Sequence, residues 1–315
     1  MTPLIRRSIL WGAGILVLVL ALRVGGRFPW QATIDAVAGA DPRALAALVV
    51  VALSCLVAKG WAWHLLLRPV APHRWRSAQD ANLVGAAVNN LSVAVMGEAA
   101  RIRRLQLLAK VPLAQTVASV VWTRVLEGVG LAVFILTAPV FVELPPVLRG
   151  VEIGTASVLV VLAVLTWFRG WSTLARGLPE AMRRAAGRLI EIGPWQRLAV
   201  PTLLTLANWV GQWATFHLAL IAASIQVPPQ ASLAVMLLTN FAGLLRLTPA
   251  GVGTMQAGFV AALLPFGVAP GQAIGASLLL QAAQILPVMG IALGLVGWDG
   301  LRDLLRQART EGTTN

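Results

Sequence analysis

Apolar residues fall in long continuous blocks along this chain, and strict alternation is absent, so the pattern predicts helices and not strands. Blocks at about 8–24, 44–67, 113–140, 152–168, 198–224 and 271–297 reach or approach the roughly 20 apolar residues that a helix needs to span a bilayer. These six are expected to cross the membrane. Two further blocks are too short or too broken to do so. Residues 81–96 carry Asn89 and Asn90 at their middle and have basic residues on both flanks. Residues 231–267 form two apolar arms on either side of the break Pro-Ala-Gly-Val-Gly. Both are expected to be re-entrant hairpins, the first opening to the cytoplasm and the second to the outside. Non-helical backbone at such depth is tolerated only when buried in protein or lining an aqueous cavity. Two hairpins of opposite sense fit an inverted repeat. They share Asn residues upstream of a Gly break, but no residue-by-residue match.

Composition strengthens this picture. Of 315 residues, 58% are hydrophobic and 12% charged, which is too apolar for a soluble core to hide. The expected fold class is therefore an all-α polytopic membrane protein, a single domain over 1–315. A β-barrel is excluded because the blocks are continuous. The net charge of +13 sits mostly between the spans. Arg23, Arg27, Arg43 and Arg149 fall on one side, Arg124 and Arg246 in the membrane region, and the other Lys and Arg on the opposite side. That asymmetry is the positive-inside pattern, so both termini are expected in the cytoplasm and nucleic acid is not an expected partner. A basic inner face attracts anionic lipid. Residues 27–43 read as an external loop with an interfacial helix. Residues 170–197 place Leu178, Met182, Ala185, Leu189 and Ile192 at helical spacing and read as an amphipathic helix on the inner surface. Residues 300–315 read as a basic cytoplasmic tail. Lys59, near Trp61 and Trp63, reads as a residue snorkelling to the inner interface. The first span lacks a small-residue cleavage site and is expected to be retained.

Charged side chains inside a membrane are costly and are functional candidates by default. Glu98 and Arg101 stand three apart, as do Arg124 and Glu127, so each pair shares a helix face. Arg124 and Arg101 read either as phosphate contacts or as halves of structural ion pairs. Glu98 reads as an arginine anchor, a site for a cationic head group, or a helix N-terminal charge. Arg246 precedes a glycine-rich break whose free N–H groups suit an anion. Arg103 and Arg104 read as inner-leaflet anchors. Asn89, Asn90, Asn208, Gln212 and Asn240 are polar residues within apolar blocks and read as interhelical hydrogen bonders or as the lining of a path. His64, His73 and His217 have no metal-ligand spacing, the lone Cys55 rules out an intrachain disulfide, and no nucleotide loop or serine elbow is present. No metal and no cofactor are expected.

Three motifs bring a resemblance. "MGEAARIRRL" is similar to the Gly-Glu-x-x-Arg signature of the flippase-like membrane family, which includes the transmembrane region of lysylphosphatidylglycerol synthases. "TRVLEG" resembles its Arg-x-x-Asp/Glu pair, and "LTPAGVGTMQAG" its Pro-Gly-Gly-x-Gly-x-x-Glu signature. Ala250 and Gln256 stand where the family usually has glycine and glutamate, so this break is neutral. No soluble aminoacyl-transferase domain is expected. The resemblance implies a stand-alone member that translocates lipid in a bacterial cytoplasmic membrane, without lysine transfer. It points to Glu98, Arg101, Arg124, Glu127, Arg246 and Gln256 as the head-group site and to a phospholipid or other anionic lipid as partner. A membrane-embedded lipid-modifying enzyme, or an accessory subunit of a lipid or glycan synthase, are the alternatives.

Overall fold

The computed structural model describes residues 30–92, 96–137, 195–243 and 251–311, with short pieces at 140, 149–150 and 153–154. Helices run as α1 (Trp30–Ala38), α2 (Pro42–Leu67), α3 (Trp75–Leu91), α4 (Met96–Ala109), α5 (Leu113–Thr137), α6 (Trp195–Ala222), α7 (Pro229–Gly243), α8 (Thr254–Leu263) and α9 (Pro270–Glu311). No strand occurs among the described residues. The expected span at 8–24, nearly all of the expected span at 152–168 and of the 170–197 segment, and Arg246 lie outside the described residues.

Among the described residues, three helices are long and apolar enough to cross a membrane: α2, α5 and the Pro270–Gly297 part of α9. They coincide with three of the blocks expected to span. The 198–224 block forms the 28-residue α6. The outer face of α5 carries Val117, Val121, Val125, Val129 and Val133 at every fourth position, each 41–46% exposed. A stripe of that length on a soluble surface would be an unmet apolar patch; on a membrane helix it is the lipid face. The chain is an integral membrane protein. Residues 300–311, read from the sequence as part of a tail, instead continue α9 as helix to Glu311.

The expected external loop at 27–43 holds α1, whose Thr33 hydroxyl donates to the Gly271 carbonyl at the start of α9. Asp41 caps α2 by accepting from the Arg43 N–H at 2.8 Å. At the other end of α2 the turn toward α3 is organised by histidines. His73 Nδ1 donates to the Ala71 carbonyl at 2.7 Å, which leaves its Nε2 to accept from His64 Nδ1 at 3.0 Å. Burial pushes the His73 imidazole below its ordinary pKa, which keeps this chain neutral.

Helices α3 and α4 form a tight antiparallel hairpin. Asn89 faces Gly97, Gly85 faces Arg101, and Asp80 meets Arg104, so the order reverses along the pair. The hairpin is longer than the 81–96 block: the basic stretch that looks like its cytoplasmic flank is the second arm, Met96–Ala109. Arg104, read from sequence as a lipid anchor, instead makes a two-pronged pair with Asp80 at 2.7 and 3.1 Å. The close approach depends on glycine. A Cβ at Gly97 would lie 2.6 Å from both the Asn89 Cβ and the Gly85 carbonyl oxygen. Gly97→Ala is therefore expected to destabilise the protein by about 1–3 kcal/mol through overpacking. Gly290→Ala, on α9 with nothing within 4 Å of the new methyl, is expected to cost nothing. Thermal unfolding in detergent checks both; equal effects would show that the hairpin is not tightly packed at Gly97.

Candidate functional site

The helix order brings three charged segments together. α2 contributes Lys59, the first turns of α4 contribute Glu98 and Arg101, and the middle of α5 contributes Arg124 and Glu127. The i, i+3 spacing on α5 lets Arg124 Nη1 donate to Glu127 Oε2 at 2.7 Å. Its other terminal nitrogen donates to Glu98 Oε1 across the helix interface. One guanidinium thus bridges two carboxylates on different helices. Lys59 reaches the second oxygen of Glu127 at 2.8 Å. Arg101 approaches Glu98 Oε2 at 3.3 Å, and its guanidinium carbon lies 4.3 Å from the ring centroid of Trp63. A cation over an indole face is a favourable partner when water is excluded.

Lys59 is the member that the sequence concealed. Its place near the end of α2 and among tryptophans fits snorkelling, but packing of α2 against α5 turns it inward to Glu127. The formal charges of the five residues are three positive and two negative, which leaves a surplus of one positive charge.

Exposure within the network is uneven. The Arg101 side chain is 6% exposed and that of Arg124 is 44% exposed. Arg124 faces a cavity of about 530 Å³. Asn89, Asn90 and Ser92 line it from the bend of the α3–α4 hairpin, and Thr239, Asn240, Gly251, Thr254 and Met255 line it from the α7–α8 break. Trp209, Gln212 and Phe216 contribute from α6, and Gln284 from α9. Both interrupted segments therefore end at one chamber beside the middle of α5. Trp209 also fixes that part of α5: its indole N–H donates to the Glu127 backbone carbonyl at 3.1 Å, and its ring sits where a Cβ at Gly130 would be.

The other sequence candidates fall as follows. Asn89, Asn90, Gln212 and Asn240 line the cavity. Asn208 does not; it is buried, and its carbonyl faces the Cys55 thiol at 3.7 Å. Gln256 stands off the lining and closes the start of α8. Its Oε1 accepts from the Gly253 N–H at 2.6 Å and its Nε2 donates to Gln281 at 2.7 Å. Gly251 and Gly253 adopt φ of 69° and 88°, which only glycine takes readily, so the break requires them. Among the described residues no cluster of His, Cys, Asp or Glu is placed to hold a metal.

Because Glu127 serves two cations, its loss and the loss of one cation are unequal. Glu127→Met is expected to destabilise by about 3–5 kcal/mol, leaving Lys59 and Arg124 short of a carboxylate. Lys59→Met leaves Glu127 still paired with Arg124 and is expected to cost about 1.5–3 kcal/mol. Unfolding curves of the two variants in detergent give the order; the reverse order would contradict a shared carboxylate.

A family model described as the lysylphosphatidylglycerol synthase TM region matches residues 9–292. No curated protein matches the chain.

Proposed function

Because this chain belongs to the family of lysylphosphatidylglycerol synthase transmembrane regions, we propose that it moves a phosphate-bearing lipid head group between membrane leaflets. The observation that carries this reading is the half-exposed Arg124, which faces a polar cavity beside the middle of a membrane-crossing helix. A planar guanidinium matches phosphate oxygens in a two-pronged fashion. Glu98 and Glu127 hold Arg124 in place, and Arg101 and Lys59 keep the surroundings positive. The lipid tails stay in the bilayer while the head group enters the chamber.

In this reading the α3–α4 and α7–α8 segments are re-entrant. α3 has 17 residues and α4 has 14, spanning about 26 and 21 Å, less than the roughly 30 Å of hydrocarbon. Arg74 and Arg76 precede or open α3 and Lys110 follows α4, so both ends of the hairpin belong at the inner surface. α7 and α8, with 15 and 10 residues, are short as well. Two bends that end at one cavity support alternating access from opposite leaflets. The termini then lie in the cytoplasm, and the membrane is the bacterial inner membrane. An anionic phospholipid is the partner.

The test is leaflet exchange in vesicles. Purified protein is reconstituted with phosphatidylglycerol labelled on its acyl chain, and the label in the outer leaflet is bleached by an impermeant reductant. The wild type is expected to render the inner label accessible. Arg124→Gln is expected to slow exchange at least about tenfold, whereas Arg103→Gln, on an exposed position, keeps the wild-type rate. Thermal unfolding confirms that both variants are folded. An unchanged rate in folded Arg124→Gln, or no exchange by the wild type, overturns the reading.

A further inference from the structure

We infer that the cavity selects a phosphate-linked polyhydroxy head group and discriminates against cationic head groups such as aminoacyl or ethanolamine esters. The inference rests on the translocation reading above and specifies its substrate class.

The first argument is the use of the carboxylates. Glu127 is the acidic residue on the cavity lining, and both its oxygens are engaged, one by Lys59 and one by Arg124. Glu98 meets Arg124 with one oxygen, and its other oxygen is buried 3.3 Å from Arg101, with no hydrogen bond of its own among the described residues and off the cavity lining. An ammonium group entering the chamber would lose its water beside a surplus positive charge, with no free carboxylate oxygen among the described lining residues to receive it. Desolvation and like-charge repulsion then act in the same direction. An anionic phosphate experiences the opposite sign.

The second argument is the remaining polar lining, which is uncharged and rich in carboxamides. The side chains of Asn90, Gln212 and Gln284 have no hydrogen-bond partner among the described residues. Asn240 uses its Nδ2 on the Met236 carbonyl, which leaves its Oδ1 as an acceptor. A carboxamide offers donors and an acceptor together, and a hydroxyl both donates and accepts, so the two are complementary. Trp209 and Phe216 supply apolar walls for the C–H faces of a polyol. The cavity volume of about 530 Å³ lies within the roughly 300–1,000 Å³ usual for small-molecule sites.

Leaflet exchange of acyl-labelled lipids differing only in head group tests this. Vesicles carry one labelled species each: phosphatidylglycerol, phosphatidylinositol, phosphatidic acid, phosphatidylethanolamine or lysyl-phosphatidylglycerol. The two polyhydroxy lipids are expected to move at least about tenfold faster than the two amine-bearing ones. Equal rates, or faster amine-bearing lipids, overturn the selectivity and leave translocation standing. Movement of none removes the translocation reading, and the inference with it. Gln212→Leu combined with Gln284→Leu is expected to lower the ratio of phosphatidylglycerol to phosphatidic acid movement; an unchanged ratio overturns the role of the carboxamides. Glycerol 3-phosphate entry into the vesicles without lipid movement would assign the same chemistry to a soluble ligand and overturn the lipid assignment. The wild-type ranking decides the matter even if the double variant fails to fold.

Discussion

A charged group inside a membrane has no water to retreat to, so every one there must be answered by another. In this protein the answer is organised around Arg124, whose guanidinium is shared between Glu127 on its own helix and Glu98 on the facing hairpin. Each carboxylate then draws in a second cation, Lys59 or Arg101. A charged side chain at the bilayer centre costs at least about 2.5–3.5 kcal/mol on the mildest scale, so pairing favours the packing of α2, α4 and α5 against one another. The glycines follow from that demand. Gly85 and Gly97 let the two arms of the hairpin come close enough to bring Glu98 toward α5, and Gly130 lets Trp209 brace the turn that carries Glu127.

The same network has an imbalance with chemical consequences. Both acids are engaged in ion pairs, one positive charge is left over among the five residues, and Arg124 is the cation among the described lining residues. The most exposed member, Arg124, lies where two interrupted helical segments meet, beside uncharged amides and two aromatic rings. In the proposed reading, recognition divides into two parts: the arginine for the phosphate, the amides for what the phosphate carries.

Much of this was legible in the sequence because helix geometry is local. The three-residue spacings of Glu98 with Arg101 and of Arg124 with Glu127 place each pair on one face before any tertiary contact is known, and the continuous apolar blocks mark α2, α5 and α9. What was not legible depends on packing between distant segments. Lys59 looks like an interfacial lysine until α5 is seen beside it. Arg104 looks like a lipid anchor until the hairpin folds it onto Asp80. Asn208 and Gln212 are both polar residues in one apolar block, yet the cavity face of α6 runs through Trp209, Gln212 and Phe216 and leaves Asn208 buried off the lining. Gln256 occupies the place of an acid in a motif, and its contacts are those of a helix cap joined to Gln281.

The central claim is that a lipid phosphate enters the chamber beside Arg124. Site-specific photocrosslinking reads this most directly. A diazirine side chain is placed at Met255, on the cavity lining, or at Val121, on the lipid face of α5, in vesicles containing phospholipid labelled at its phosphorus. Both positions are predicted to capture labelled lipid, and Arg124→Gln is predicted to abolish capture at position 255 while sparing position 121. Capture at position 121 alone in the otherwise wild-type protein would contradict the account.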